Sequence, residues 1–338
     1  MKAIVFREPG RFVIEERPEP EVGPQDILVK VDACGVCGTD LHIFKGEHFV
    51  EFPVIPGHEY AGEVVDAGSE VVHLAPGDRV AVDPNITCGV CRFCRRGQIH
   101  FCENLTALGV NMDGGFAEYS LVPVKQAYPL PPELPTETAA LVEPVACCAH
   151  GIDLAEIAVG DDVLVMGAGP IGLIIAQLAR LAGARRVIVS EPHERRRALA
   201  LELGAEAAID PMNQDAREEV LKATDVGADV VIECVGLAET AEQAVGLARR
   251  GGTVLLFGVT NPEAVARIKP YDVFLRELTI RGSFINPFTH SRAIGLLAAG
   301  KLRVAPLISH RLPLSDFGAA LSLAGTPEAA KILIRPGE

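Results

Sequence analysis

Residues 163–191 read VLVMGAGPIGLIIAQLARLAGARRVIVSE, and this stretch decides the fold. Val163 to Met166 is a short apolar run with the branched residues of a buried parallel strand. It enters the turn Gly167-Ala168-Gly169-Pro170-Ile171-Gly172. Gly167 permits a tight turn, Gly169 lets the backbone approach a pyrophosphate, and Gly172 lets the next helix pack close to the strand. Ile171, Leu173, Ile174, Ile175, Leu178 and Leu181 then repeat at helical spacing up to Gly183. Val187-Ile188-Val189 is a second strand. It ends in Glu191, 19 positions after Gly172, where a carboxylate can accept from a ribose 2′-hydroxyl. Strand, glycine turn, helix, strand and terminal acid in this order point to dinucleotide binding. The plainer reading is a tight strand–helix turn in some other α/β protein. The acid favours NAD over NADP, because a carboxylate repels a 2′-phosphate. Arg195, Arg196 and Arg197 soften that preference, unless they only form a solvated helix face.

Downstream the alternation continues. Ala207–Ile209, Val230–Glu233, Thr253–Phe257 and Thr279–Phe284 bring the strands to six, with helices around His193–Leu203 and Glu239–Arg249. Six strands with crossover helices make an α/β, doubly wound parallel sheet over residues 146–286. Upstream the pattern is different. Lys2–Phe6, Phe12–Glu16 and Ile27–Val31 are short strands with turns, which reads as antiparallel β. Residues 1–145 therefore form a separate first domain. Residues 287–338 hold helices near Ser291–Ala299 and Ser315–Ala324 and a strand at Lys331–Ile334. They are too few for a domain and return to complete the first one.

Composition excludes several classes of function. The 338 residues suffice for two cored domains, and 49% hydrophobic content argues against disorder. A net charge of −14 excludes a general nucleic-acid or anionic-membrane surface. The longest uncharged run, Val163 to Ala179, is shorter than a membrane span and carries the glycine turn. Arg7 and Glu8 follow the first apolar residues too soon for a signal peptide, so the cytoplasm is the expected compartment. Nine cysteines without a secretory signal point to metal ligation and free thiols rather than disulfides.

The first domain carries the chemistry-bearing residues. Cys34-Gly35-Val36-Cys37 fits a redox dithiol or half of a zinc site. Thr39 and His42 add a hydroxyl and an imidazole that can relay a proton, while Thr39-Asp40 also reads as a helix N-cap. His58 and Glu59 are both zinc-ligand types. Neighbours on a regular strand face opposite ways, so both reach one metal only if the chain bends, which Gly57 allows. Cys88, Cys91, Cys94 and Cys102 lie within 15 residues and suit a closed tetrahedral thiolate site. An iron–sulfur cluster competes, but its spacing places the fourth cysteine earlier and before proline. Arg92, Arg95 and Arg96 offset the thiolate charge or stand in solvent. Thr136 to Asp153 reads as helix and contains Glu143 among alanine, valine and leucine, where burial demands a salt bridge or a metal. Cys147 and Cys148 read as packing thiols.

These residues together resemble the zinc-dependent medium-chain alcohol and polyol dehydrogenases over essentially the whole chain. The resemblance rests on Cys37-Gly38-Thr39-Asp40-x-His42, Gly57-His58-Glu59-x-x-Gly62, the four-cysteine lobe, Leu141-Val142-Glu143-Pro144 and the Gly167–Gly172 turn. It implies an N-terminal, partly open β-barrel catalytic domain with a zinc lobe at about 88–102, a Rossmann domain, an active site in the cleft between them, and a homotetramer. It implies two zinc ions per chain. The catalytic ion falls to Cys37, His58 and Glu143, with Glu59 exchanging in and Asp40 orienting His58; the structural ion falls to Cys88, Cys91, Cys94 and Cys102. Pro170, Ile171, Glu191 and Arg196 match positions around the cofactor's phosphates and adenosine. Phe257, Gly258, Val259, Ser283, Phe284 and Ile285 match the backbone around the nicotinamide. The implied chemistry is Lewis-acid activation of an alcohol, proton relay through Thr39, a ribose hydroxyl and His42, and hydride transfer to NAD. The implied substrate is a secondary alcohol, with Glu143-Pro144 polyol-like. Phe284-Ile285-Asn286 and Ile43 depart from the sorbitol pattern, so another sugar alcohol, butanediol, a simple secondary alcohol or L-threonine stand beside it. The rival is a zinc-independent quinone-reductase-like or non-catalytic relative.

Overall fold

A computed structural model describes residues 1–47 and 50–338. The chain divides into two units. Met1–Ala146 joins Pro287–Glu338 in the first, and Cys147–Asn286 forms the second.

The second unit is built on six parallel strands. Across the sheet they run Ala207–Ile209, Arg186–Ser190, Asp162–Met166, Ala228–Glu233, Ala248–Leu256 and Thr279–Gly282. Chain order reverses between Asp162–Met166 and Ala228–Glu233, the doubly wound arrangement in which ligands sit at the carboxyl ends beside the switch. Every residue of Asp162–Met166 is buried, as a strand covered on both faces requires. The helix Pro170–Leu181 starts on a proline, whose missing N–H costs nothing there, and buries Leu173, Ile174, Ile175 and Leu178. Leu181, counted in the same apolar face from the sequence, ends the helix largely exposed. Gly172 is required by contact: a Cβ there would lie 2.0 Å from the Gly167 carbonyl oxygen.

At the other end of the sheet Asp162 is nearly fully buried and accepts four hydrogen bonds, two from Arg185 and two from Arg186. Burial works to raise its pKa, but the two guanidiniums outweigh burial and hold it below the ordinary value. A depressed carboxylate stabilises above its unfolded pKa, and that contribution is lost as pH falls through the folded value. Asp162→Asn is therefore expected to cost about 1–3 kcal/mol at pH 7. The difference from the parent should shrink as pH falls below the ordinary aspartate range in urea titrations across pH.

The boundaries differ from the sequence pattern in identifiable places. The helix expected to reach Arg249 stops at Leu247, and the strand expected from Thr253 already begins at Ala248. The last strand ends at Gly282 rather than Phe284. Two helices lie outside those expected from the sequence. Ala216–Thr224 buries only Val220 and Thr224 and is capped by Asp215, which accepts from the Glu218 N–H at 3.0 Å. Pro270–Arg276 buries none of its residues. Arg197 is not a solvated residue: it donates to the carbonyls of Glu191 and Pro192 and pairs with Asp210 at 3.0 Å.

The first unit is a seven-stranded, mostly antiparallel sheet. Ile308–Pro313, Lys331–Arg335, Asp26–Gly35, Glu59–Ala67, Arg79–Val82 and Ala127–Pro129 are neighbours in that order, and Tyr119–Pro123 also pairs with Asp26–Gly35. Among the described residues its two outer strands do not pair with each other, which leaves the sheet open. Ile4, Phe6, Tyr60, Phe116 and Phe317 centre its core. Tyr60 is fully buried with its hydroxyl 2.9 Å from Ser120 Oγ, so the one polar atom of that ring has a partner. The run expected as one helix from Thr136 breaks into Thr136–Ala139 and Val142–Ala155. Among the described residues no helix is long and apolar enough to cross a membrane.

Candidate active site and metal centres

The helix Gly38–Lys45 sets the first ligand. Its cap is Cys37, not Thr39-Asp40 as the sequence suggested. The Cys37 N–H donates to Asp40 Oδ2 at 2.8 Å, and Asp40 occupies the third helical position, where the helix dipole favours a carboxylate. This places Cys37 Sγ at the helix N-terminus with the Thr39 hydroxyl 3.8 Å from it. His42 lies on the same helix face one turn later. Its Nδ1 is 2.7 Å from Oε2 of Glu47, a partner the sequence did not single out.

Gly57 brings in the next two. Its φ of +95° lies in the region that only glycine enters freely, and a Cβ would strike Cys34 Sγ at 2.7 Å. His58 therefore precedes the strand Glu59–Ala67 instead of lying within it. The expected opposition of the two side chains is removed: ligand atoms of Cys37, His58 and Glu59 all lie within 4.8 Å of one another. Asp40 is fully buried, and its Oδ1 stands 3.6 Å from His58 Nδ1. Among the described residues neither atom has a hydrogen-bond partner. With Nδ1 turned to Asp40, His58 has Nε2 left for a ligand. Burial pushes the His58 pKa down, but the negative charges of Cys37 and Asp40 outweigh it and raise it well above its usual value. The cluster calls for a cation, which is what a zinc ion would supply.

Glu59 brings in a residue the sequence did not reveal. Lys331, with 5% of its side chain exposed, sits 2.5 Å from Glu59 Oε2 and 3.2 Å from the Val36 carbonyl oxygen. Burial would lower the lysine's pKa. The charges of Glu59, Cys37 and Glu143 prevail and raise it. Glu143 itself is buried in the first turn of Val142–Ala155.

The second cluster is Cys88, Cys91, Cys94 and Cys102, whose sulfurs also lie within 4.8 Å of one another. Two short turns, Cys94–Arg96 and Ile99–Phe101, fold the segment on itself. Backbone N–H groups of Cys88, Cys91, Cys94 and Asn104 point at the sulfurs at 3.3–3.5 Å. Hydrogen bonds from Val90 and Cys91 help push the Cys88 pKa down to about 6. Burial and the neighbouring thiols push Cys94 up to about 12. Four thiols that cannot all ionise beside one another fit a divalent metal, which removes the repulsion. Arg92 pairs with Glu103 at 3.0 Å. Cys91→Ala is expected to remove one zinc per chain by metal analysis and to open residues 88–104 to proteolysis, with turnover falling far less than for loss of Cys37.

In the second unit the glycine turn lies at the switch of strand order. A Cβ on Gly169 would meet nothing within 4 Å, so the backbone is bare where a pyrophosphate would approach. Glu191 is buried, accepting from Ala168 N–H at 2.7 Å and His193 N–H at 3.0 Å. These contacts leave no mark in the sequence pattern. They fix the carboxylate and leave further lone pairs for a ribose. Arg196 is half-buried. Phe257 and Gly258 N–H both donate to the Glu233 carbonyl at 2.9 Å, and Ser283 N–H to that of Leu256 at 3.1 Å. Among the described residues Ser283 Oγ is buried without a partner, and Ile285 holds a φ of +44°, which a branched residue seldom adopts. Strain and an orphaned hydroxyl beside the strand ends suit a ligand-bearing backbone.

Fold and donor sets together define a class: oxidoreductases that work with zinc and a nicotinamide dinucleotide. The comparisons agree. The alcohol dehydrogenase GroES-like domain family matches residues 23–132 and the zinc-binding dehydrogenase family residues 170–298. D-altritol 5-dehydrogenase of Agrobacterium fabrum is 39% identical, covering 94% of each chain. D-arabinitol dehydrogenase 1 of Uromyces fabae is 36% identical, covering 99% of this chain and 97% of its own. A zinc-binding dehydrogenase of Sinorhizobium meliloti 1021, solved bound to NADP, is 46% identical with a TM-score of 0.96 over 99% of both chains. The chain belongs to the zinc-dependent medium-chain alcohol and polyol dehydrogenases.

Proposed function

We propose that the chain oxidises a secondary alcohol of the polyol or sugar-alcohol class with NAD, at a zinc ion held by Cys37, His58 and Glu143, with Glu59 exchanging in. The observation that carries this is the convergence of Cys37, His58 and Glu59 within 4.8 Å, with the Thr39 hydroxyl 3.8 Å from Cys37 Sγ. Zinc, when bound, supplies Lewis-acid polarisation of the alcohol oxygen. The remaining work falls to the chain. Asp40 orients the His58 ring. Thr39 takes up the alcohol proton, and His42 at the more exposed end of the same helix passes it to solvent. The turn Gly167–Gly172 receives the pyrophosphate, Glu191 the ribose and Arg196 the adenosine side. Phe257–Val259 and Ser283–Ile285 hold the nicotinamide by backbone groups, so its face is fixed before hydride moves.

The polyol class is supported by the arabinitol and altritol dehydrogenases among the relatives. NAD is supported by the fixed carboxylate of Glu191; the NADP of the Sinorhizobium structure belongs to that protein. The enzyme is proposed to act in the cytoplasm as a homotetramer, which light scattering tests.

The deciding experiment is reduction of NAD⁺ and NADP⁺ at 340 nm against sorbitol, xylitol, arabitol, 2,3-butanediol, a simple secondary alcohol and L-threonine, before and after chelation. A polyol turned over with NAD⁺, lost on chelation and restored by zinc, is expected. Turnover of L-threonine instead would keep the mechanism and replace the substrate class. Chelator-insensitive quinone reduction with no alcohol oxidised would overturn the reading.

A further inference from the structure

Glu233 closes the strand Ala228–Glu233, on the far side of the switch from the glycine turn. It is 1% exposed, and among the described residues no cation pairs with its carboxylate. A buried charge without a counter-ion is costly, so its donors must be good ones. Oε1 accepts from Val235 N–H at 2.7 Å and Gly236 N–H at 2.9 Å, and the Thr240 hydroxyl lies 2.8 Å away. Bonds from backbone amides to a carboxylate are shorter and stronger than neutral ones. The same residue reaches the next strand through its main chain, where its carbonyl accepts from Phe257 N–H and Gly258 N–H.

The two loops so joined interlock. A Cβ on Gly258 would lie 2.3 Å from Gly236 N and 2.8 Å from Glu233 Oε2. A Cβ on Gly236 would lie 2.4 Å from the Val259 carbonyl oxygen. The backbone of Phe257–Val259 therefore rests on the turn after Glu233, and that turn is shaped by the Glu233 side chain. An apolar residue here would fill the space but leave two amides without acceptors.

We propose that Glu233 is the positioning residue for the nicotinamide half of the cofactor. It ties the turn at 234–240 to Phe257–Val259, so that the backbone facing the nicotinamide is set before the cofactor arrives. Glu233 itself touches neither cofactor nor substrate in this role. The proposal rests on the reading that Phe257–Val259 carries the nicotinamide.

The test uses the zinc-loaded enzyme with NADH and with ADP-ribose, which has every part of the cofactor except the nicotinamide. In the parent, NADH is expected to slow hydrogen exchange at Phe257–Val259 and ADP-ribose is not. Equal protection by both would refute the underlying reading, and the proposal with it, before any variant is made. Given that difference, Glu233→Ala is expected to weaken NADH binding about tenfold or more while leaving the Kd for ADP-ribose unchanged. Glu233→Gln keeps an acceptor oxygen and should fall between parent and alanine, which provides a conservative variant if the alanine form folds poorly. Exchange at 234–240 and at 257–259 should quicken together in both. Equal weakening of NADH and ADP-ribose would mean a general loss of structure and overturn the proposal. Unchanged NADH affinity in both variants would overturn it as well.

Discussion

Replacing Cys37 with alanine is expected to lower turnover by about a thousandfold or more, because Lewis-acid activation contributes several kcal/mol and each 1.4 kcal/mol is a factor of ten. The loss should come with a change in metal content from two zinc ions per chain to one, the survivor being that of the four-cysteine lobe. The fold should hold. Cys37 also caps the helix Gly38–Lys45, but Asp40 still accepts from the backbone N–H at position 37 in the variant. The lost sulfur contact then costs about 1 kcal/mol. Turnover, zinc content and the thermal transition, measured together on one preparation, separate the outcomes. A variant that keeps both metals and full activity would remove Cys37 from the site. A variant that unfolds would instead make the cap its main role, and Cys37→Ser would then be the form to assay.

Lys331→Ala should produce the largest loss of stability of any single change near the site. The lysine and Glu59 have only 5% and 2% of their side chains exposed, and the pair is 2.5 Å apart. Removing one partner strands a buried carboxylate, which costs about 3–5 kcal/mol. The penalty comes from the orphaned charge rather than from the pair's net worth, so a double variant distinguishes the two. Lys331→Met combined with Glu59→Gln should recover most of the loss in urea denaturation, since neither side chain then carries charge. Recovery by Lys331→Met alone, with Glu59 still charged, would mean that packing of the lysine stem matters more than its charge. Metal-loaded enzyme should suffer less than metal-free enzyme from Lys331→Ala, because a cation held by Cys37, His58 and Glu59 would offset the same carboxylate.

Much of this was visible in the sequence, and the reason is local spacing. The glycine turn, the strand before it and the acid after it lie within one unit of strand, helix and strand, so their geometry follows from neighbours along the chain. The four cysteines are close enough in sequence that one folded lobe must bring them together. His58 and Glu59 were harder. Period-two alternation predicts opposed side chains, and only the backbone at Gly57 shows that His58 lies outside the strand. Lys331 was not visible at all. It reads as the first residue of a short strand, and 272 positions separate it from Glu59. Glu47 is an ordinary acidic residue until its distance to His42 is known. Pro270–Arg276 carries Tyr271, Val273, Phe274 and Leu275 yet buries none of them, so its apolar residues do not mark a core face.

The first unit is not contiguous in the chain: residues 1–146 are completed by 287–338, with Cys147–Asn286 in between. On the ribosome this fixes an order of events. Cys37, His58 and Glu59 emerge early, yet the strand that neutralises Glu59 and pairs with Asp26–Gly35 emerges only after residues 147–286. The nucleotide-binding unit has all its own strands by then and can be complete while its predecessor still waits. Lys331 can therefore balance Glu59 only once residues 147–286 have been made, so completion of the first unit waits on the whole of the second in the order of synthesis.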